Sequence, residues 1–403
     1  FANYILTKDL DFENCNSYTD CDNMTTYTTG EGWEPIGFWD DEFQDYIAYV
    51  GTFDGQGHTI SNLYINRPSE SRVGFFGIVG ESSKIQNVGL INSYVSGGEN
   101  TGGLVGRLMG RVENSYVTGS VMGEYCIGGL VGTHFIEEDI PLVLTIINSY
   151  SEASVSGDEA VGGLVGCNTG DVINSYSTGT VSAEYSVGGL IGGYNGGDIL
   201  NSYWNTQTSG VEESTSGGTG LTTIEMKTLA NFSDWDIVAM NSFNPSDPSI
   251  WYISDGQDYP RLYWEYEAPE VLTKTATDIT IESATLNGEL ISMDGETEVG
   301  VYFRYRQGDE GAWITVDGVT KTSSGVFSSP ITGLTLNTQY QYQAVVTWRG
   351  VGTEYGNIVT FSTPETPPLP TVFGTVVSNI EDIQNPDDTE VPLVLTKIGT
   401  GGI

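Results

Sequence analysis

A glycine-rich pentapeptide recurs along the first half of the chain and limits its fold more than any other feature. Gly-Gly-Leu-Val-Gly, or a degenerate variant, begins at Val73, Gly102, Gly128, Gly162 and Gly188. A second marker, Asn-Ser-Tyr, begins at Asn92, Asn114, Asn148, Asn174 and Asn201. Several neighbouring copies lie 26 or 27 residues apart, and a fixed period of this size is typical of repeat architectures.

A unit of this length, with short β-branched runs and glycines at its turns, predicts one coil of a parallel β-solenoid. Each coil pairs its strands with the coils above and below, at about 4.8 Å per step. Equivalent residues then stack, as in cross-β assemblies. A leucine-rich repeat is excluded because its Leu-x-x-Leu-x-Leu spacing is missing. We predict an asparagine ladder and a tyrosine stack at Asn114, Asn148, Asn174, Asn201, Tyr116, Tyr150, Tyr176 and Tyr203.

One repeat carries about eight extra residues between Gly132 and Asn148. This segment contains three consecutive acidic residues from Glu137 onward, and Pro141 follows them. Polar residues and proline between two periodic segments predict a loop. We therefore expect the insertion to project from one coil.

Further motifs flank the repeats. They lie at residues 4–11, 33–37, 51–60, 203–205 and 220–222. With these motifs the chain resembles the GLUG-repeat proteins of bacterial and archaeal surfaces, a family named for its Gly-Leu-Gly type motif. The resemblance covers most of residues 1–265 and implies a β-solenoid in an extracellular, prokaryotic setting. It implies no common chemistry.

Residues 268–364 change in character and predict a second domain. Short alternating strands with turn signals between them are typical of a β-sandwich. The pattern around Tyr340 resembles that of a fibronectin type III domain, in which this tyrosine would take the tyrosine-corner position. Trp313 lies later than the usual core tryptophan, which leaves the strand register open. The expected role of the sandwich is that of a spacer.

Residues 365–403 are predicted to form a Pro-rich linker and one extended strand. Residues 391–397 repeat the pattern of residues 268–274 at the start of the sandwich. Two interpretations remain open. The strand begins a further domain, or it completes the sheet of a neighbouring subunit by β-augmentation.

The chain is strongly acidic, with 53 Asp and Glu residues against 14 Lys and Arg residues and a net charge of −39. Such a field repels nucleic acid and anionic membranes, which bind clusters of basic residues. Acidic, oxygen-rich loops suit Ca²⁺. We predict candidate Ca²⁺ ligands at Asp40, Asp41, Glu42 and Asp45. No apolar run in the sequence is long enough to span a bilayer.

Four cysteines are present. Cys15 and Cys21 lie in a polar stretch and are predicted to form a disulfide, which implies an oxidising compartment. Cys126 and Cys167 lie within the repeats and are predicted to be small buried residues. Two sequons are candidate glycosylation sites. They begin at Asn23 and Asn231.

The sequence contains no recognisable catalytic motif. His58 belongs to a glycine-rich segment, and His134 begins the insertion without a nucleophile signature near it. We therefore predict an extracellular protein that is not an enzyme. The leading interpretation is a structural subunit of a self-assembling filament, sheath or surface layer. The alternative is an adhesin or carbohydrate-binding region of a longer secreted protein. The expected partners are further copies of the chain and, in the alternative, glycans.

Overall fold

A computed structural model describes residues 2–13, 30–40, 45–135, 145–214, 216–240, 249–294, 296, 298–348 and 352–365. Its described part is almost entirely β-structure. A parallel β-solenoid is followed by an antiparallel β-sandwich. The extended strand predicted within residues 365–403 lies outside the described residues.

The N-terminal segment starts the stack of coils. Its strands are β1 (Tyr4–Ile5), β2 (Leu10–Asp11), β3 (Phe38–Asp40), β4 (Asp45–Ile47), β5 (Thr52–Ser61) and β6 (Tyr64–Asn66). Strands β1 and β2 pair in parallel with β5, whereas β3 and β4 form an antiparallel hairpin. The segment thereby supplies the first layer on which the repeats stack.

The repeats form the coils. Their strands are β7 (Phe76–Val79), β8 (Lys84–Ser96), β9 (Thr101–Gly102), β10 (Val105–Leu108), β11 (Arg111–Glu113), β12 (Tyr116–Met122), β13 (Tyr125–Gly128), β14 (Val131–His134), β15 (Thr145–Ile147), β16 (Tyr150–Ser151), β17 (Ser154–Gly162), β18 (Val165–Asn168), β19 (Asp171–Ile173), β20 (Tyr176–Ser177), β21 (Val181–Gly188), β22 (Ile191–Asn195), β23 (Ile199–Leu200) and β24 (Tyr203–Asn205). Equivalent strands of neighbouring coils pair in parallel.

The apolar residues of the pentapeptide fill the interior of the coils. Val105 pairs with Val131, which pairs with Val165, and that residue pairs with Ile191. All four are fully buried, as are the leucines that precede them. Burial of one such side chain contributes about 1.5–3 kcal/mol. A hydrophobic pair repeated in every coil therefore sets the register.

The insertion does not disturb this register. Val112 in β11 pairs with Ile146 in β15, and Ile146 pairs with Val172 in β19. The strands on both sides of residues 136–144 thus keep their places in the coil. The nine residues themselves lie outside the described part of the chain.

The last glycine of the pentapeptide allows neighbouring coils to touch. A Cβ atom added to Gly166 would lie 2.4 Å from the carbonyl carbon of Cys126 in the preceding coil. A Cβ atom on Gly132 would lie 2.5 Å from the equivalent atom of Asn100. Real Cβ atoms do not approach backbone atoms so closely, so the close approach requires glycine.

The first Asn-Ser-Tyr copy is out of register with the others, and the ladder predicted from Asn114 onward does not include it. Tyr116 pairs with Gly89, whereas Tyr94 pairs with Ser120 after a register shift in β12. The ring of Tyr94 stacks instead on Tyr64, with ring centres 5.2 Å apart. The long strand β8 therefore carries this copy at a different position of the coil.

After the last coil the chain folds back along the outside of the solenoid. Its elements are α1 (Thr206–Ser209), β25 (Thr219–Leu221), α2 (Thr223–Met226), a 3₁₀ helix (Leu229–Phe232), β26 (Ile237–Ala239), β27 (Trp251–Ile253), β28 (Arg261–Leu262) and a second 3₁₀ helix (Tyr263–Glu265). We call residues 219–240 and 249–265 the clasp. A capping box between Thr222 and Glu225 starts α2.

The sandwich consists of two antiparallel sheets. Its strands are β29 (Val271–Thr273), β30 (Ser283–Leu290), β31 (Val299–Gln307), β32 (Ile314–Thr315), β33 (Val319–Lys321), β34 (Gly325–Thr332), β35 (Gln339–Trp348), β36 (Gly352–Tyr355) and β37 (Val359–Ser362). One sheet has the order β29-β30-β34, and in the other β31 and β35 are central. Alternate residues of both sheets form a common core.

Two aromatic residues settle the register of the sandwich. The hydroxyl of Tyr340 accepts a hydrogen bond of 2.8 Å from the backbone N–H of Thr335, which is the bond of a tyrosine corner. Trp348 lies in the core with 4% of its surface exposed. Trp313 is only half-buried and precedes β32, so it is not the core tryptophan.

Candidate functional site

The predicted asparagines lie at one corner of successive coils. Asn114, Asn148, Asn174 and Asn201 all adopt left-handed backbone conformations, with φ between 45° and 49°. Asparagine tolerates this conformation better than most residues do. Side-chain amide bonds join Asn114 to Asn87 (3.2 Å) and Asn201 to Asn174 (3.3 Å). Within the described part of the chain, the buried Oδ1 atoms of Asn114 and Asn148 have no hydrogen-bond partner, so the amide ladder is interrupted.

The serines of the marker form the continuous ladder. The backbone N–H of Ser115 donates to Oγ of Ser149 (3.3 Å), and that of Ser149 donates to Oγ of Ser175 (3.2 Å). The N–H of Ser175 donates in turn to Oγ of Ser202 (3.2 Å). Each hydroxyl donates to the carbonyl two residues earlier in its own coil. A hydroxyl both donates and accepts, which explains why serine recurs in every copy.

Three of the predicted tyrosines form a close stack. The ring centres of Tyr116 and Tyr150 are 4.8 Å apart with an interplanar angle of 6°. Those of Tyr150 and Tyr176 are 4.8 Å apart with an angle of 2°. Tyr203 follows in register, and its ring packs edge-on against Phe232 of the clasp.

The clasp covers this tyrosine stack. Trp251 is fully buried, and its ring centre lies 6.1 Å from that of Tyr150 and 5.9 Å from that of Tyr176. Trp235 lies 4.7 Å from Trp251. The stacked tyrosines therefore form the core of a second hydrophobic cluster between the coils and the clasp. They do not provide a ligand-binding surface.

Hydrogen bonds fasten the clasp along several coils. The indole N–H of Trp235 donates to the carbonyl of Asn201 (2.8 Å), and that of Trp264 donates to the carbonyl of Asn114 (3.0 Å). The hydroxyl of Tyr176 donates to the carbonyl of Pro260 (2.6 Å). The clasp thus runs back from the last coil toward the first and ties the coils together.

A partly buried group of charges lies where the clasp meets Tyr150. The hydroxyl of Tyr150 donates to Glu265 (2.6 Å) and accepts from Arg261 (3.0 Å). Arg261 also forms an ion pair of 2.8 Å with Glu152. Burial raises the pKa of Glu265 to about 7, and it also raises the pKa of Glu152. One cation therefore serves two partly buried carboxyl groups.

This geometry predicts a pH dependence of stability. Because the folded pKa of Glu265 is about 7, above the ordinary value near 4.5, its favourable contribution is complete below pH ~4.5 and is lost as the pH rises through 7. We expect Glu265→Gln to remove up to about 3 kcal/mol of this decline in the free energy of unfolding. Denaturant unfolding between pH 4.5 and 8 measures it. An unchanged slope in the variant would contradict the assignment.

A disulfide joins Cys126 to Cys167 in the next coil. The prediction that both are small buried residues was incomplete: they are 3% and 5% exposed, but they are bonded. Cys126 stands two residues before the pentapeptide and Cys167 one residue after it in the following coil. Stacking brings these positions together although they are 41 residues apart. The predicted pair Cys15 and Cys21 lies outside the described residues.

Other coils fill the same pair of positions differently. One coil earlier, Thr133 Oγ1 donates a hydrogen bond to Asn100 Oδ1. One coil earlier still, the guanidinium carbons of Arg72 and Arg107 lie 5.1 and 4.9 Å from the ring centre of Tyr46. This corner therefore holds neighbouring coils together by a different contact at each level.

The disulfide is expected to contribute about 2–4 kcal/mol of stability, because it closes a loop that includes the insertion. We expect Cys126→Ala/Cys167→Ala to lower the free energy of unfolding by this amount. The matched variant Thr133→Val, which removes the hydrogen bond to Asn100 one coil earlier and keeps the asparagine at its left-handed backbone position, should cost about 1 kcal/mol. Denaturant titration of both proteins measures the difference. Equal losses would contradict the role of the disulfide.

The predicted metal ligands are only partly described. Asp40 and Asp45 pair at the end of the β3–β4 hairpin, and Asp41 and Glu42 lie outside the described residues. Among the residues that the structure describes, no group of three or more His, Cys, Asp or Glu side chains could hold a metal ion. Calcium binding by this loop stays a prediction.

The histidines have structural environments. His134 is fully buried, and its Nδ1 lies 2.9 Å from Oδ1 of Asn168. Burial lowers the pKa of His134 to about 4, so its ring is neutral near pH 7. Nδ1 of His58 lies 3.2 Å from Asp9 at the surface.

One of the two sequons lies in the described chain. Asn231 is exposed, and its side-chain amide donates to the carbonyl of Glu225 (2.9 Å). Asn23 lies outside the described residues. Glycosylation of either residue stays a prediction.

The fold and these corner contacts define a class of protein: a β-solenoid of stacked repeats, closed on one face by its own clasp. A family model described as the GLUG motif matches residues 97–122 and 157–182. The chain thus carries this motif in two of its coils. None of the helices in the described residues has the length and apolarity of a membrane-spanning helix.

Two relatives share part of the sequence. Halomucin of Haloquadratum walsbyi is 39% identical over 109 residues, which cover 27% of this chain and 1% of halomucin. A protein of Evansella cellulosilytica, whose name describes a Gly-rich membrane protein, is 34% identical over 90 residues. These cover 22% of this chain and 10% of that protein. The chain therefore spans a small fraction of either relative.

Among solved structures, the sensor domain of the anti-sigma factor RsgI4 from Pseudobacteroides cellulosolvens matches 25% of this chain and 98% of its own chain. Its sequence identity is 19% and its TM-score is 0.22. A similarity of this size carries no argument about function.

Proposed function

We propose that this protein is a non-catalytic structural component of a prokaryotic cell surface. In this proposal copies of a GLUG-repeat solenoid, each followed by a fibronectin type III-like spacer, assemble end to end into a filament, sheath or surface layer. The relatives support a surface setting. The disulfide between Cys126 and Cys167 also supports it, because such bonds persist in oxidising compartments.

Two strands of the last coil with unpaired edges carry the proposal, whereas β24 of the same coil is already paired with β25. Among the described residues, β21 pairs only with β17, and β23 pairs only with β19. Tyr185 and Val187 in β21 are 66% and 39% exposed, and Leu200 in β23 is 49% exposed. An unpaired strand edge with apolar side chains is a template for another chain. Joining different ends of two copies gives an open, extendable row.

The N-terminal end of the solenoid offers a matching edge. Within the described chain, β1 pairs only with β5. Its residues Tyr4 and Ile5 are 58% and 56% exposed. Strands β1 and β23 belong to the same column of parallel strands. Placing β23 of one copy below β1 of the next continues the column without a change of direction.

Negative-stain electron microscopy over a range of protein concentrations tests this proposal. We expect rows that lengthen as the protein concentration rises. Parallel samples with Ca²⁺ and with a chelator show whether the acidic loops contribute to assembly. Val187→Lys places a charge on the open edge and should shorten the rows. Val326→Lys makes the same change at an exposed sandwich position and should not. Single particles at every concentration would contradict end-to-end assembly.

A carbohydrate-binding adhesin is the second candidate. Tyr185 and Tyr194 are the most exposed tyrosines of the described chain, at 66% and 70%, and both belong to the last coil. Exposed aromatic rings stack on sugar faces. A glycan array discriminates the two functions: reproducible binding that Tyr185→Ala/Tyr194→Ala abolishes would favour the adhesin.

A further inference from the structure

The outer face of the sandwich carries alternating cationic and aromatic side chains. The guanidinium carbon of Arg304 lies 3.9 Å from the ring centre of Tyr355 and 4.4 Å from that of Trp313. The guanidinium carbon of Arg306 lies 4.6 Å from the ring of Trp313. We call Tyr355, Arg304, Trp313 and Arg306 the arginine ladder. Stacking of this kind holds guanidinium groups at a partly exposed surface.

Hydrogen bonds fix the two guanidinium groups. Nε and Nη2 of Arg304 donate to Oε1 of Gln343 at 3.0 and 2.5 Å. The same atoms of Arg306 donate to Oε1 of Gln341 at 3.0 and 2.6 Å. Gln343 is buried and donates to the carbonyl of Gly356. Nη1 of each arginine makes no hydrogen bond within the described chain, so both groups keep donors for a ligand while their orientation is already set.

The charges of the ladder are not neutralised locally. Ion pairs elsewhere in the described chain involve Arg67, Lys84, Arg111, Arg261 and Lys274. Within the described part of the chain, neither Arg304 nor Arg306 has a carboxylate oxygen within 4.0 Å of its guanidinium nitrogens. Two guanidinium groups without an ion pair among the described residues thus share one face, in a chain with 53 acidic and 14 basic residues. The face is complementary to carboxylates.

One long side of the solenoid carries the opposite charge. Exposed carboxylates recur there in successive coils: Glu99, Glu124, Asp158 and Glu184, which we call the acidic ridge. The backbone N–H of Asp158 donates to the carbonyl of Glu124, and Glu159 pairs with Tyr185, so the ridge follows the stacking direction. Coils are about 4.8 Å apart, and like charges at this spacing repel each other.

We propose that the arginine ladder of one copy docks sideways on the acidic ridge of a second copy. This inference rests on the proposed function, since it adds a lateral contact to the end-to-end rows. Arg, Trp and Tyr are the residues enriched at protein interfaces, and the free Nη1 groups suit carboxylates. A row presents many ladders and ridges at fixed spacing. The binding free energies of individually weak contacts therefore add along the row. Rows that associate side by side in this way form a sheet.

Microscopy and sedimentation velocity of the full chain at low and high ionic strength test the docking. We expect wild-type rows to associate side by side at low ionic strength and to separate as salt screens the contact. Arg304→Glu/Arg306→Glu should leave single rows and raise the concentration needed for lateral association at least tenfold. Glu124→Arg/Asp158→Arg added to that variant should restore it. As single variants, Arg306→Glu should raise the concentration needed for lateral association, whereas the control Lys321→Glu should leave it unchanged.

The outcomes separate this inference from end-to-end assembly. Lateral association of the double variant at wild-type concentrations would overturn it, and so would rows that never associate sideways. Lateral dimers sensitive to the ladder, without rows, would support the docking and contradict the end-to-end proposal. The wild-type protein could bind polygalacturonate, with this binding lost in the double variant and no lateral association of copies. That result would overturn a second copy as the partner of the arginine ladder. Unchanged thermal unfolding of each variant checks its fold.

Discussion

Tyr150→Ala is expected to lower the free energy of unfolding of the solenoid by about 3–5 kcal/mol. The ring is fully buried between Tyr116 and Tyr176. Removing it leaves a cavity beneath Trp251 and takes away the hydroxyl that joins the coils to the clasp. Denaturant unfolding at pH 7 measures the loss.

Two further variants separate the contributions at this position. Tyr150→Phe keeps the stacked ring and removes only the bonds to Glu265 and Arg261, so about 1–3 kcal/mol should be lost. Tyr185→Ala removes a tyrosine that is 66% exposed, and a change within about 0.5 kcal/mol is expected. If Tyr150→Ala were as mild as Tyr185→Ala, the clasp would not cover the tyrosine stack in solution.

Arg261→Ala is expected to cost up to about 3 kcal/mol near pH 8, because it leaves the partly buried carboxyl groups of Glu152 and Glu265 without their cation. The cost should shrink toward pH 5. The pKa values of both carboxyls are already raised by burial, and without Arg261 both protonate more readily as the pH falls. Unfolding free energies at several pH values measure the trend.

A surface ion pair provides the control for Arg261. Lys274 pairs with Glu289, and their side chains are 41% and 32% exposed. Lys274→Ala should therefore cost no more than about 1 kcal/mol, with little dependence on pH. A pH-independent loss in Arg261→Ala would show that the arginine acts through packing instead of charge.

The solenoid could be predicted from the sequence because its interior repeats with the coil. The pair Leu104 and Val105 recurs in the later pentapeptides, with Ile191 in place of valine in the last one, and burial of equivalent residues in every layer leaves one register. The tyrosine stack could be predicted for the same reason, since Tyr150 and Tyr176 occupy equivalent positions in successive coils. The copy at Asn92 shows the limit. A marker of three residues does not reveal the register shift that moves it to another position of the coil.

Contacts between positions that do not repeat could not be predicted. The bond between Cys126 and Cys167 joins two different positions of the coil, and only the offset of each cysteine from the pentapeptide pointed to it. The clasp has no period at all, so its aromatic residues gave no sign of what they cover. In the sandwich, Arg304 and Arg306 alternate along β31 and therefore had to face outward, but placing Trp313 over them required the pairing of β31 with β32.

Immunogold electron microscopy of intact cells that make this protein tests the central claim most directly. Antibody against the sandwich should label the outside of the cell as a continuous layer or as filaments, with regular spacing. Label confined to the cell interior, or scattered single molecules on the surface, would contradict a structural role at the cell surface.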